Sequence, residues 1–290
     1  MITDEKLTAI LSAIQIDPGN RGLARDPKDN LFTACPGDFV AACRSIATHH
    51  NPALAMFTGF FIPTADTPAF ETDGPLGACF IKRAFSSLGI SCGEVGESPV
   101  CNSIYVGYMS QLNFKEVSIL RPGLSHILCI ERSGPSADGK HYTMRGSDVS
   151  SHHRCARYFA DLCDIGESVT IGIGDGGNEI GMGKIPHETI VKNIPNGDLI
   201  HCRVPADHLI VAGVSNWGAY ALAAGVFVLR GVEPPTDLFD PDREREILEI
   251  MVREGPLVDG VTGKQTATVD GLTWDEYVKP LIRIREILEQ

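Results

Sequence analysis

The segment at residues 169–186, VTIGIGDGGNEIGMGKIP, constrains the fold and the function of this chain more than any other stretch. It opens with Val169, Ile171 and Ile173 in alternation, which is typical of a buried β-strand. Glycine is favoured where a backbone needs a positive φ or must approach a ligand closely, and it weakens helices and strands elsewhere. Six glycines follow one another closely here: Gly172, Gly174, Gly176, Gly177, Gly181 and Gly183. The segment therefore predicts a strand that runs into a functional glycine loop.

Two nucleotide-binding motifs can be compared with this loop. Residues 172–177 match the spacing G-x-G-x-x-G, in which an unbroken helix should follow the glycines and bind pyrophosphate. Gly181, Gly183 and Pro186 would break that helix. The phosphate-binding loop also fails, because Ile185 stands where that motif has Ser or Thr. We favour a small-molecule or metal-assisted site at the carboxyl end of a strand, with dinucleotide binding and a plain glycine turn as alternatives.

The composition argues against nucleic acid and membranes as partners. The 290 residues include 37 acidic and 25 Lys or Arg side chains, a formal net charge of −12, without a basic cluster. No apolar run reaches membrane-spanning length, and the acidic N-terminus does not resemble a secretory or transit signal. The nine cysteines are scattered without a C-x-x-C pair, which is typical of buried thiols in a reducing compartment. We therefore expect a cytoplasmic protein without a zinc site.

Strands, polar loops and helices alternate along the chain without an internal repeat. The apolar patterns predict strands at 53–57, 90–95, 116–120, 126–130, 169–173, 199–204 and 209–213. They predict helices at 7–14, 39–47, 76–88, 99–112, 150–162, 215–231, 242–255 and 274–289. This alternation favours a three-layer αβα fold, with a mostly parallel or mixed sheet, helices on both faces and room for a small cap. We expect one domain over residues 1–290, in which the loops at 59–75, 131–146, 174–186 and 213–217 converge on one crevice.

Five motifs occur in the order of a known protein family. They are ETDGP at 71–75, ER-x-G-x-x-ADG-x-x-Y-x-x-R at 131–145, GDGGNEIGMGK at 174–184, AGVSNWG at 212–218 and DGVTGK at 259–264. In these motifs, over nearly its whole length, the chain resembles the D-glutamate cyclase family, whose domain was formerly one of unknown function. In the animal members a similar domain follows a hydro-lyase-like domain and lies in mitochondria. This sequence does not contain that preceding domain, so we expect a stand-alone cyclase-like domain.

The resemblance implies a lyase reaction in which D-glutamate loses water and closes to 5-oxo-D-proline. The substrate's ammonium must lose a proton before its nitrogen can attack, which calls for a carboxylate or histidine base. The γ-carboxylate must be polarised by a cation or by hydrogen-bond donors, so that one oxygen can leave as water. The expected partner is a small anionic amino-acid substrate. We expect no organic cofactor, and a homodimer remains open.

The resemblance also indicates which residues form the site. Several acids in one place repel one another unless a metal or an arginine lies between them, and oxygen ligands suit Mg²⁺ or Mn²⁺. We predict that Asp175 and Glu179 hold such a divalent metal or act as the base, with Asp73 and Asp138 as further catalytic candidates. The predicted substrate-binding residues are Glu71, Arg132, Arg145, Gly176, Gly177, Asn178, Lys184 and Asn216.

Other roles and other functions remain open on the sequence alone. Asp73 and Asn216 could each cap a helix, and Arg132 and Arg145 could pair with an acidic neighbour. A metal-dependent hydrolase or lyase acting on another small carboxylic acid could use the same acids, but it would form no 5-oxoproline. A non-catalytic metabolite- or nucleotide-binding protein would gain thermal stability from its ligand without turnover.

Overall fold

A parallel β-sheet forms the centre of the computed structural model, which describes residues 1–109, 123–153, 159 and 168–290. In chain order the strands are β1 (Ala53–Thr58), β2 (Phe61–Ile62), β3 (Ala69–Phe70), β4 (Ser91–Val95), β5 (His126–Ile130), β6 (Val169–Gly174) and β7 (His208–Val211). The five-stranded sheet has the order β4-β1-β5-β6-β7, and every neighbouring pair is parallel. Strands β2 and β3 form a separate antiparallel pair. The predicted α/β fold is confirmed.

Helices surround the sheet and complete a three-layer arrangement. They are α1 (Thr3–Ile14), α2 (Asp38–Thr48), α3 (Pro75–Ser87), α4 (Ser98–Met109), α5 (His187–Asn193), α6 (Gly197–Ile200), α7 (Ser215–Arg230), α8 (Pro241–Glu254), α9 (Trp274–Tyr277) and α10 (Lys279–Leu288), with a 3₁₀ turn at Ser150–His152. The largest apolar core packs between α1, α2, α3, α7 and one face of the sheet. None of the helices described here is long and apolar enough to cross a membrane.

Helix α7 is buried along most of its length. Every residue from Ser215 to Phe227 is buried. A Cβ on Gly218 would lie 2.4 Å from Ile173 Cγ2 of β6, so the small residue lets the helix lie directly against the sheet. Trp217 is also in the core, and its indole Nε1 donates to Tyr277 O at 2.9 Å.

Some predicted elements differ from the observed ones. The predicted strand at 199–204 is wrong: α6 ends at Ile200, and the following backbone bonds to loops, with Cys202 N donating to Gly177 O at 3.0 Å. The predicted last helix is divided into α9 and α10, because Pro280 in the first turn of α10 cannot donate a backbone hydrogen bond. The predicted strand at 116–120 and most of the predicted helix at 150–162 lie outside the described residues.

The strand order positions the functional site. Along the sheet, the five parallel strands occur in the chain order second, first, third, fourth, fifth. The chain therefore leaves β1 towards one side of the sheet and continues from β5 towards the other. In parallel sheets, a crevice opens at the carboxyl ends of the two neighbouring strands from which the chain continues to opposite sides of the sheet. Here these strands are β1 and β5.

Candidate active site

A cavity of about 120 Å³ lies at this edge of the sheet. Its walls come from the segments that follow β1, β5 and β6, from the segment between α8 and α9, and from the loop that precedes α2. The lining residues are Arg21, Phe60, Ile62, Pro63, Thr64, Glu71, Glu131, Thr143, Met144, Arg145, Ser147, Asp175, Asn178, Gly260, Val261 and Asp270. Three of the four loops that were expected to converge thus border one cavity.

The glycine loop after β6 folds around the carboxylate of Glu179. Glu179 Oε1 accepts from Asp175 N at 2.9 Å and Oε2 accepts from Gly177 N at 2.7 Å. Gly177 has a φ of 99°, and a Cβ on Gly176 would lie 2.7 Å from Asn178 Oδ1. The backbone therefore needs glycine at both positions, once for its conformation and once for space. The result is a tightly folded loop that places Asp175 and Asn178 at the cavity wall.

Asp73 and Asn216 cap each other's helices. Asp73 accepts from the backbone N–H groups of Ser215 at 2.9 Å and Asn216 at 2.8 Å, at the start of α7. In return, Asn216 Oδ1 accepts from Gly74 N at 2.8 Å and Gly77 N at 2.7 Å, at the start of α3. Both side chains are buried, and neither lines the cavity. The two caps fix the N-terminal ends of α3 and α7 beside the site.

Arg21 supplies a buried positive charge that the motifs did not indicate. Its Nη1 lies 2.6 Å from Asp175 Oδ2, and its Nη2 lies 2.7 Å from Asp270 Oδ1. The loop that carries Arg21 is fixed by Asp17, whose carboxylate accepts from Arg21 N and Gly22 N at 2.9 Å. Burial lowers the pKa of Arg21, but Asp175 and Asp270 outweigh this effect and raise the pKa above its ordinary value. Arg21 therefore stays charged.

Glu131 is a second site residue that was not among the predicted ones. It directly follows β5, has a φ of 45°, and accepts from Ser215 Oγ at 2.5 Å. Its position after a strand, in a segment expected to reach the crevice, was the signal that could have identified it. Asp259, the first residue of the motif DGVTGK, and Asp270, which precedes Gly271, were not assigned to the site either. The structure brings Asp270 to the cavity wall and uses Asp259 to fix the adjoining turn.

The carboxyl groups of the site are buried close together, and their pKa values reflect it. Burial raises the pKa values of Glu71 and Glu131 well above the usual range, and neighbouring carboxylates add to the effect. Burial also raises the pKa of Asp175, although Arg21 opposes it. Burial and the charge of Asp270 raise the pKa of Asp73 to about 7. Such a cluster is stable only with bound protons or with cations between the acids.

Two overlapping sets of carboxylates have oxygens close enough to share a cation. In the set Glu131, Asp175 and Glu179, and in the set Asp73, Asp175 and Asp270, the ligand atoms lie within 4.8 Å of one another. The second set already has the guanidinium of Arg21 between two of its members. The first set lies next to an amide oxygen that is free to coordinate.

That oxygen is Asn178 Oδ1, which is buried and has no hydrogen-bond partner. Asn178 Nδ2 donates to Tyr142 O at 2.8 Å, which fixes the orientation of the amide. A Cβ on Gly176 would lie 2.7 Å from Asn178 Oδ1 and 3.0 Å from Glu179 Oε1, so both oxygens face the same small space. Carboxylate and amide oxygens are the ligands that Mg²⁺ and Mn²⁺ prefer. The residues of the first set therefore fit a hard divalent cation.

The predicted site residues separate into those at the cavity and those away from it. Glu71, Arg145, Asp175 and Asn178 line the cavity, and Glu179 and Gly177 lie directly behind its wall in the glycine loop. Gly176 belongs to the same loop. Asp73 and Asn216 lie at the helix caps described above.

The structure does not bring Arg132, Asp138 and Lys184 to the cavity. Arg132 is fully buried and binds Glu97 through both terminal nitrogens, at 2.6 and 3.0 Å. Asp138 is exposed and accepts from Tyr142 Oη at 2.6 Å. Lys184 donates to Asp38 Oδ2 at 2.6 Å on another side of the glycine loop.

The fold and the site together define a class: a parallel α/β protein with a carboxylate-lined crevice, of a size that suits a small polar molecule. Comparison of the sequence with known protein families identifies the family within this class. Residues 10–285 match the family model described as D-glutamate cyclase-like, C-terminal, and the chain belongs to that family. This confirms the resemblance that the five motifs indicated.

The chain is similar to the mitochondrial D-glutamate cyclase of Homo sapiens, with 30% identity over 337 aligned positions. The alignment covers 97% of this chain and 52% of the human protein, so the chain spans about half the length of that relative.

Proposed function

We propose that this chain catalyses the cyclisation of D-glutamate to 5-oxo-D-proline and water. The observation that carries the proposal is the crevice, where buried carboxylates and Arg145 surround a space for one small molecule. The activity named for the human relative supports the same reaction. The proposal makes the chain a lyase that acts on a free amino acid.

The cavity volume supports a substrate of this size. One water molecule requires roughly 10–15 Å³ of cavity volume. A cavity of about 120 Å³ therefore holds on the order of ten non-hydrogen atoms, which is the size of glutamate. A dinucleotide is several times larger and would extend far beyond it. The volume thus favours the amino acid over the dinucleotide reading of the glycine loop.

The walls of the cavity have the polarity that such a substrate needs. Phe60, Ile62 and Met144 contribute apolar surface to the cavity, against which the methylene groups of glutamate would lie. Arg145 is exposed at the cavity and would bind the α-carboxylate through its guanidinium. The buried acids would then face the ammonium group. Holding these two groups in place, with the methylene groups against the apolar residues, would favour the ring-forming conformation of the substrate.

The charge of the site supports a divalent cation as a part of the proposal. Glu131, Asp175, Glu179 and Asn178 would hold Mg²⁺ or Mn²⁺ through oxygen atoms. When bound, the ion would supply positive charge that polarises the γ-carboxylate. Without a cation, the acids would repel a substrate that carries two carboxylates.

The proposal is tested by NMR of the purified protein with D-glutamate and with L-glutamate in separate samples. Each sample is measured with Mg²⁺, with Mn²⁺ and with a chelator, and 5-oxoproline is followed over time. We expect 5-oxoproline from D-glutamate, and less of it with the chelator. Absence of 5-oxoproline under every condition would contradict the proposal. Metal-dependent turnover of another small carboxylic acid would then support the hydrolase or lyase alternative.

A further inference from the structure

The carboxylate of Glu71 differs from the other buried carboxylates around the cavity. Hydrogen bonds or ion pairs from the protein reach Asp73, Glu131, Asp175, Glu179, Asp259 and Asp270. Within the part of the chain that the structure describes, no side-chain hydrogen bond reaches Glu71, although this residue is 6% exposed and lines the cavity. Its oxygen lone pairs are therefore available to a bound molecule.

The main chain around Glu71 is nevertheless firmly fixed. Glu71 N donates to Phe60 O at 3.0 Å, in the segment that follows β1. On its other side, Thr72 N donates to Val258 O at 2.8 Å, and Val258 N donates to Phe70 O at 3.0 Å. The backbone thus holds Glu71 in place from two directions, while its carboxylate remains without a partner.

Gly260 provides the space that the carboxylate occupies. A Cβ at Gly260 would lie 1.7 Å from Glu71 Oε2, which is far closer than any real contact. Any side chain at residue 260 would therefore displace the carboxylate from its position. The motif ETDGP supplies the acid, and the motif DGVTGK supplies the glycine that makes room for it.

We propose that Glu71 is the general base of the cyclisation, and this inference rests on the function proposed above. A free carboxylate in a fixed position at the cavity can accept a proton from the substrate, whereas a donor of the protein already binds at least one oxygen of each of the other buried acids named above.

Glu71 takes up one proton and releases it again within one reaction cycle. The Glu71 carboxylate takes one proton from the α-ammonium, and the nitrogen lone pair then forms a bond to the carboxyl carbon of the γ-carboxylate. The bond from this carboxyl carbon to one of its oxygens breaks. That oxygen leaves as water with the proton held by Glu71 and a second proton from the nitrogen. Glu71 is thereby returned to its ionised form, and no other reactant is needed.

The test compares Glu71→Gln with Asp66→Asn, an exposed acid in the same loop. We expect Glu71→Gln to lower kcat for 5-oxoproline formation by about 10²–10⁴-fold, which is the usual contribution of a positioned base. D-glutamate should still raise the melting temperature of this variant, because the substrate-binding groups are unchanged. The melting temperature without substrate should not fall, because one of several repelling carboxylates has become neutral. Asp66→Asn should match the wild type.

A second variant separates catalysis from packing. Glu71→Ala leaves a space at the cavity, and added formate should restore part of the lost activity by supplying a carboxylate there. Activity of Glu71→Gln within about threefold of the wild type would overturn the assignment of Glu71, as would Glu71→Ala that folds but shows no rescue. If the wild type itself forms no 5-oxoproline, the proposed function fails and the role of Glu71 fails with it, whereas an active wild type with an active Glu71→Gln variant contradicts the role of Glu71 alone.

Discussion

Arg21 neutralises part of the negative charge of the buried carboxylates at the cavity. It lies between Asp175 and Asp270, and its side chain is only 15% exposed. A buried carboxylate that loses its counter-charge must take up a proton or gain solvent, and either change costs free energy. The arginine therefore stabilises the glycine loop and the segment around Asp270 at the same time.

Replacing Arg21 by Met should destabilise the protein by about 3 kcal/mol, because Asp175 and Asp270 would remain buried without their cation. Arg25→Met is the matched control, since Arg25 is an exposed residue of the same loop. The free energy of unfolding in urea measures both. Equal stability of the two variants would show that the cluster does not depend on Arg21.

The sequence motifs identified the region of the site but not which residues within a motif face the cavity. Glu131 and Arg132 share one motif, yet the structure directs Glu131 to the cavity and Arg132 into the protein towards Glu97. Successive side chains at the end of a strand point to opposite sides, so adjacent residues of a motif need not share a site. Arg21 was not predictable, because its contact with Asp175 spans 154 positions and joins two loops.

At the scale of elements, the reciprocal caps of Asp73 and Asn216 join α3 to α7. Each side chain satisfies backbone N–H groups at the start of the other helix, groups that have no partner within their own helix. The sequence suggested caps for both residues, but it did not indicate that each would cap the other's helix. Only the packing of the two helices brings their ends together.

Asn216→Ala should lower the free energy of unfolding by about 2–3 kcal/mol, because the buried N–H of Gly77 loses its acceptor and the buried N–H of Gly74 keeps only Asp73 Oδ1. Asn102→Ala, at an exposed position in α4, serves as the comparison. Chemical denaturation of both variants gives the values. A loss for Asn216→Ala no larger than that for Asn102→Ala would mean that the caps contribute little.

His126 at the start of β5 makes the stability of the protein depend on pH. The residue is fully buried, and burial, with a smaller effect of His49, lowers its pKa to about 4. In the unfolded chain the pKa is about 6.5. The stability that neutral His126 contributes is therefore complete above pH 6.5 and is lost as the pH falls from there towards 4.

Between pH 7.5 and 5, the wild type should lose about 1–2 kcal/mol more stability than His126→Gln does. The difference between the two proteins isolates His126, because acids with raised pKa values act in the opposite direction in both. Urea unfolding at the two pH values provides the measurement. If both proteins lose the same free energy of unfolding between these pH values, the pKa of His126 does not differ between the folded and the unfolded protein.

At the scale of the whole molecule, the order of the strands explains why distant motifs meet. The alternating pattern predicted the parallel sheet, and the loops after β1, β5 and β6 border the cavity as expected. Two further walls were not predicted, because the loop with Arg21 and the turn with Asp270 do not follow strands of the sheet. Long-range packing, which leaves no local pattern, brings them to the crevice.

The most direct test of the account compares the wild type with Asp175→Asn. The rate of 5-oxoproline formation from D-glutamate is measured for both by NMR, and melting temperatures establish that both are folded. We predict formation by the wild type and a rate at least about 10²-fold lower for the variant, because Asp175 lies both at the cavity and among the predicted cation ligands. Equal rates, or no product from a folded wild type, would contradict the account.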